Sequence, residues 1–200
     1  MRAREAPRAD GPDRQLAELV FQLGRLAYGD SAGQGGSGGL TPAQWTALRY
    51  FARANRFSRT VSAFAEYHAT TRGTASQTVK ALVARGCLRR SPSERDRRSV
   101  RFDLTAAGRR WLRRDPLEGL VRAAGTLSDA EQASTSGGLR RLLGGLAAER
   151  QRLAPGRCAL CGHLGQRDKG YVCGLLKEPL ARGELEELCI RFEVAEAATG

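Results

Sequence analysis

Ser76-Gln-Thr-Val-Lys-Ala-Leu-Val-Ala-Arg-Gly-Cys-Leu-Arg-Arg90, followed by Asp96-Arg-Arg-Ser-Val-Arg-Phe-Asp-Leu-Thr-Ala-Ala-Gly108, decides the fold of this chain. Val79, Leu82 and Val83 fall on one side of a helix over 74–85. Gly86 is placed to end that helix in a left-handed cap. Cys87-Leu88-Arg89-Arg90 then reads as a short strand, and Val100-Arg101-Phe102-Asp103-Leu104 alternates apolar and polar as a second. The polar loop from Ser91 to Ser99 joins them into a hairpin, and Thr105 caps a further helix with Trp111 and Leu112 inside.

The pattern extends upstream. Val61, Phe64 and Ala65 mark a short helix over 60–67, and Thr70-Thr-Arg-Gly73 turns into the helix above. Thr41-Pro42 starts an earlier helix whose inner face is Trp45, Leu48, Phe51 and Ala52. Leu16, Leu19, Val20, Leu23 and Leu26 recur at helical spacing over 13–29. Between these two lies Ser31-Ala-Gly-Gln-Gly-Gly-Ser-Gly-Gly39, a flexible linker; no Gly-Lys-Ser/Thr follows to make it a phosphate cradle. Downstream, Pro116 bends the path and helical patterning returns to about residue 152, with Leu120, Val121, Leu139, Leu142, Leu143 and Leu146.

Helix, short helix, turn, helix, hairpin is the winged helix-turn-helix order. The fold class is therefore mainly α with a small β-wing, plus a helical dimerisation layer and a small Cys-rich C-terminal module. Its parts are a basic arm over 1–12, the winged helix and dimerisation domain over 13–153, and the cysteine module over 154–200, with Ala154-Pro155-Gly156 at the boundary.

Charge points to the partner. The chain carries +12 overall, but from Ala154 to Gly200 six Lys/Arg face seven acids, which leaves the first 153 residues near +13. A basic body suits a polyanion, and nucleic acid is the usual one. No apolar run long enough to span a membrane and no secretory signal is visible, so a cytoplasmic protein with reduced thiols is expected.

On the segments quoted first, the chain resembles the MarR family of bacterial transcription regulators. Asp96-Arg-Arg-Ser99 and Leu104-Thr-x-x-Gly108 carry the likeness, and Leu127-Ser-Asp-Ala-Glu131 resembles the start of that family's last long helix. The resemblance covers about residues 13 to 152. It implies a homodimer built from the first and last two helices, a palindromic double-stranded DNA operator with one half-site per subunit, and a repressor's role. It also implies that Asp96 braces a wing arginine. The residues themselves suggest the contacts. Thr74, Ser76, Gln77 and Lys80 lie on the outer face of the reading helix, where Gln pairs with adenine and Lys with guanine or phosphate. Arg97 and Arg98 sit near the hairpin tip, suited to a narrow minor groove. Two departures stand out: the glycine-rich insertion, and Ser134-Thr-Ser-Gly-Gly138, which weakens a helix by roughly 1 kcal/mol per glycine.

The C-terminal segment adds Cys158-x2-Cys161, Cys173 and Cys189. A Cys-x2-Cys turn lets two sulfurs grip one metal, and structural zinc sites use two such pairs. Here one pair joins two single cysteines, each read as lying at the edge of a helical stretch. A [4Fe–4S] cluster tolerates such irregular spacing better, so it is favoured over Zn2+. The run also resembles the four-cysteine modules that carry such a cluster in small subunits of some glycyl-radical enzymes. Cys87 reads as core and His163 as a neighbour of the site. Three function classes result: a DNA-binding regulator modulated by the cluster or metal, a zinc-stabilised regulator whose site is structural or binds a protein, and a thiol–disulfide redox protein. The last is disfavoured because redox Cys-x2-Cys pairs open a helix within a βαβ unit, and no such unit is legible; no other catalytic set appears, so the chain is read as no enzyme.

Overall fold

The computed structural model describes residues 11–33, 39–92, 100–150, 155–167 and 170–194. Seven helices and seven short strands occur among them: α1 (Pro12–Gly33), α2 (Pro42–Arg53), α3 (Val61–Tyr67), α4 (Arg72–Ala84), β1 (Leu88–Pro92), β2 (Val100–Leu104), α5 (Ala106–Leu112), α6 (Leu117–Ala124), α7 (Asp129–Glu149), β3 (Gly156–Arg157), β4 (Leu164–Arg167), β5 (Gly170–Cys173), β6 (Glu178–Leu180) and β7 (Leu188–Cys189). No described helix is long and apolar enough to cross a membrane.

Helix starts are chemically specified. Thr41 and Gln44 form a reciprocal capping box before Pro42, so two backbone N–H groups at the start of α2 are satisfied. Ser128 and Glu131 do the same for α7. Thr60, Thr71 and Thr105 cap α3, α4 and α5. The Thr71 cap draws Arg72 and Gly73 into α4, so that helix starts two residues before the 74 read from sequence. Gly86 has the left-handed backbone its position required, with φ +66°.

Helices α2, α3 and α4 bury Trp45, Leu48, Tyr50, Phe51, Phe64, Val79 and Leu82 against Leu88 and Phe102 of the β1–β2 hairpin. Ala52, assigned inward by spacing, is half-buried, while Tyr50 is fully inside. Its hydroxyl donates to the Ser58 carbonyl at 2.6 Å, which is what makes a buried tyrosine tolerable here. Arg49 donates to both carboxylate oxygens of Asp115 through its Nε and Nη2 and ties α2 to the turn before α6.

Three sequence expectations change. Helix α1 runs on to Gly33, into the stretch read as linker; residues 34–38 lie outside the described set. Helix α7 passes without a break through Gly137 and Gly138, its start held by the capping box. The C-terminal module is β-rich, not helical. Cys173 ends β5, in a three-stranded antiparallel sheet of order β4-β5-β6, and Cys189 lies on β7, paired with β3. Tyr171 and Val172 suit a strand, and Pro179 sits on the sheet's edge strand β6, where a missing N–H is tolerated.

The module packs against the body. Ile190 is buried in the main core, with Leu188 against it. The Asn55 N–H donates to the Leu188 carbonyl at 2.9 Å, and the Ile190 N–H donates to Ser58 Oγ at 3.2 Å.

Candidate functional site

Two sites emerge. The first is an open groove of about 770 Å3 between α4, the start of α3 and the hairpin. Arg72, Ser76 and Lys80 line it from α4, Thr60 and Ser62 from the start of α3, and Arg90, Val100 and Phe102 from the strands. Among the described residues its lining includes three cations and no carboxylate, which suits a phosphate backbone. Of the residues read from sequence, Ser76 and Lys80 thus face the groove. Thr74 and Gln77 are exposed on α4 outside it. The Thr74 hydroxyl is 2.9 Å from Thr71 Oγ1, so it is engaged in the helix cap. Asp96, Arg97 and Arg98 fall on residues 93–99, outside the described set. Arg72 and Arg90 were missed. Their cue was weak, since arginines are common in this chain and only the hairpin's return over α4 makes these two neighbours.

A different acid braces the wing among the described residues. Asp103 looks outward by strand alternation, yet it is buried. It accepts a hydrogen bond from Ser91 Oγ at 2.7 Å and pairs with Arg59 (3.4 Å), Arg101 (3.6 Å) and Arg89 (3.7 Å). Burial works against its ionisation, but the Ser91 hydrogen bond and the Arg101 and Arg59 charges outweigh it and hold the carboxyl below its ordinary value.

The second site is a small pocket lined by Cys158, Cys161, Cys173 and Cys189 together with Asn55, Phe57, His163, Leu164, Leu175, Leu176, Leu180 and Arg191. The thiols arrive from four places. Cys158 opens a 3-10 turn (Cys158–Leu160), Cys161 follows it with its N–H on the Cys158 carbonyl at 3.1 Å, Cys173 ends β5 and Cys189 lies on β7. All five cysteines of the chain are free thiols, and Cys87 is buried in the core of the winged helix, well away from this pocket. The Cys158 thiol donates to Cys189, which lowers Cys189 to about 6 and raises Cys158. Asn55, 1% exposed, donates its amide to Cys158 Sγ at 3.5 Å and accepts from the Ser58 N–H at 2.9 Å. His163 Nε2 lies 3.0 Å from Glu193 Oε2. No three described His, Cys, Asp or Glu side chains are grouped tightly enough to hold a single ion. Asn55 and Ser58 were invisible as site residues, because they lie about 100 residues before the first of these cysteines. The Cys158-x2-Cys161 turn follows a two-residue strand and no α-helix starts at it, unlike the redox arrangement weighed above.

Comparison with known proteins adds the family. Residues 38–99 match the model of the MarR family. Among solved structures, the S. aureus MepR–DNA complex is 16% identical with a TM-score of 0.53, covering 68% of this chain and 96% of that one. Bordetella bronchiseptica BpsR, described for regulation of its DNA binding by 6-hydroxynicotinic acid, is 21% identical with a TM-score of 0.51, covering 69% and 96%. No curated protein sequence matches. The chain is thus similar to the MarR family over residues 38–99, and its body shares the winged-helix fold of these solved structures.

Proposed function

We propose that this protein is a DNA-binding transcription regulator that grips a palindromic operator as a homodimer, represses from it, and takes its signal through the C-terminal cysteine module. One observation carries the DNA reading: the cationic groove of Arg72, Lys80 and Arg90 lies between an exposed reading helix and the wing. The S. aureus neighbour of the same fold was solved in complex with DNA, which supports DNA as the partner. The dimer rests on apolar faces that the single chain leaves uncovered. Leu16, Leu19, Leu23 and Leu26 of α1 and Leu142, Leu143 and Leu146 of α7 are all exposed. Such stripes on monomeric proteins mark contact surfaces.

The groove and the reading helix make separable predictions. Gln77→Ala should weaken a selected operator by about 1–3 kcal/mol and leave random duplex nearly unchanged, because a base contact is lost. Arg90→Ala should weaken both duplexes alike and lower the salt slope by about one, because a phosphate contact is lost. Binding titrations on both duplexes across a salt series measure this. Equal losses for Gln77→Ala on operator and random DNA would show that this residue reads no base.

A further inference from the structure

We propose that Cys158, Cys161, Cys173 and Cys189 hold an iron–sulfur cluster, and that its presence sets the position of the wing through Arg59. Four thiols from separate elements line one pocket whose other walls are mostly leucine and phenylalanine. Asn55 Oδ1 accepts the Ser58 N–H at 2.9 Å and holds the turn after α2, which leaves its buried amide nitrogen aimed into the pocket. Burying an amide is costly unless it is bonded, and this one donates to a cysteine sulfur. N–H groups aimed at ligand sulfurs are among the bonds that tune cluster sites.

The kind of metal follows from how the thiols meet. A zinc ion draws its donors to one point, at about 2.3 Å for sulfur. Cys158 and Cys189 are in thiol–thiol hydrogen-bond contact, but no three described donors converge on one point, although all four cysteines share the pocket. A cluster spans several ångströms and takes each thiolate on a different iron, so its ligands ring a space instead of meeting at a point. Loading forms four S–Fe bonds in place of the water or small thiol ligands that the iron brings with it, and the protons of the cysteines still protonated go to solvent.

The pocket is tight, with about 20 Å3 of free space, roughly the room of one water. A cluster needs more room than that, so loading would widen the pocket, and the segment 54–59 is one of its walls through Asn55 and Phe57. That segment ends at Arg59, whose guanidinium bridges Glu187, two residues before Cys189, at 3.1 Å and Asp103 of β2 at 3.4 Å. The Arg59 carbonyl also accepts the Phe102 N–H at 2.8 Å. Displacement at the thiols thus reaches β2, which walls the DNA groove.

The test uses the full chain purified without oxygen. About four iron and four sulfide per chain, with visible absorption, are expected. A colourless protein with one zinc overturns the cluster, and a metal-free protein that iron and sulfide cannot reconstitute overturns the site. Cys158→Ser, Cys161→Ser, Cys173→Ser and Cys189→Ser should each lose the cluster, while Cys87→Ser keeps it. Full loading of the Cys173 or Cys189 variant overturns the four-ligand set. Should the serine variants fail to fold by circular dichroism, the metal content of the wild type still decides.

The coupling rests on the DNA-binding reading above and has its own readout. Loaded and chelator-stripped wild type should differ in affinity for a selected palindromic duplex by about 5- to 150-fold. Glu187→Ala should keep the cluster and shrink that difference to less than about twofold, since it removes one end of the Arg59 bridge. Equal affinities for loaded and stripped wild type overturn the coupling. If neither form binds any duplex, the regulator reading fails, while metal content judges the site independently.

Discussion

Replacing Leu19 and Leu23 by lysine is expected to give monomers and to cut operator affinity by about a thousandfold, close to the non-specific level. Both leucines are about half exposed in the single chain, at 52% and 47%. They lie on an apolar stripe of α1, and α7 carries exposed leucines of its own at Leu142, Leu143 and Leu146. In a two-fold dimer each substitution acts twice. Each leucine withdrawn from a buried layer loses about 1.5–3 kcal/mol, and each lysine adds a charge to be desolvated. A monomer reads a single half-site and gives up the gain of holding two reading helices one helical turn apart. Sedimentation and operator titration measure the two effects. A wild type that is already monomeric at micromolar concentration and still binds its operator tightly would remove the dimer from the account.

Gly108→Ala is expected to destabilise the winged helix by about 3 kcal/mol, the upper end of overpacking, and to lower Tm by about 6–12 °C. A Cβ at this position would sit 2.4 Å from the Cys87 carbonyl oxygen and 2.8 Å from Leu104 Cδ1. The oxygen belongs to the backbone and cannot swing aside. It accepts from the Thr105 N–H at 3.1 Å and also meets Thr105 Oγ1 at 3.1 Å, so α5 is clamped onto the start of the hairpin. Gly73→Ala is the control. Its Cβ would meet only Thr71 Oγ1 at an ordinary 3.7 Å, and alanine should raise stability by about 0.5–1 kcal/mol. Equal melting of wild type and Gly108→Ala would mean that α5 does not press on Cys87 in solution.

Gly108 also shows how much of the fold was legible. The Leu104-Thr-x-x-Gly108 pattern marked the exit from the wing, and the clamp supplies its physical cause. Likewise the threonine caps, Gly86 and the spacing of Val79 and Leu82 located the helices, because caps and periodicity are local properties of the chain. The same reasoning misread the cysteine module as helical. Its short apolar runs around Cys173 and Cys189 fit either period, and the strands form only by pairing with segments elsewhere in the module. Asp103 was missed as a brace for a related reason: alternation puts it outside, and what covers it is Arg59, 44 residues away.

By itself, then, the sequence determined a winged helix-turn-helix with a basic body and a four-cysteine tail. Each of these is written in near-neighbour spacing, composition or charge. Only the tertiary structure decided that the four cysteines share one pocket and that Asn55 closes it from the helix-turn-helix side. It also decided that Arg59 stands between that pocket and the wing. These facts depend on contacts between segments more than 40 and up to about 130 residues apart. Such contacts come from burying Ile190 and Leu188 in a core built by other helices, and no local pattern records which distant surface a buried residue will find.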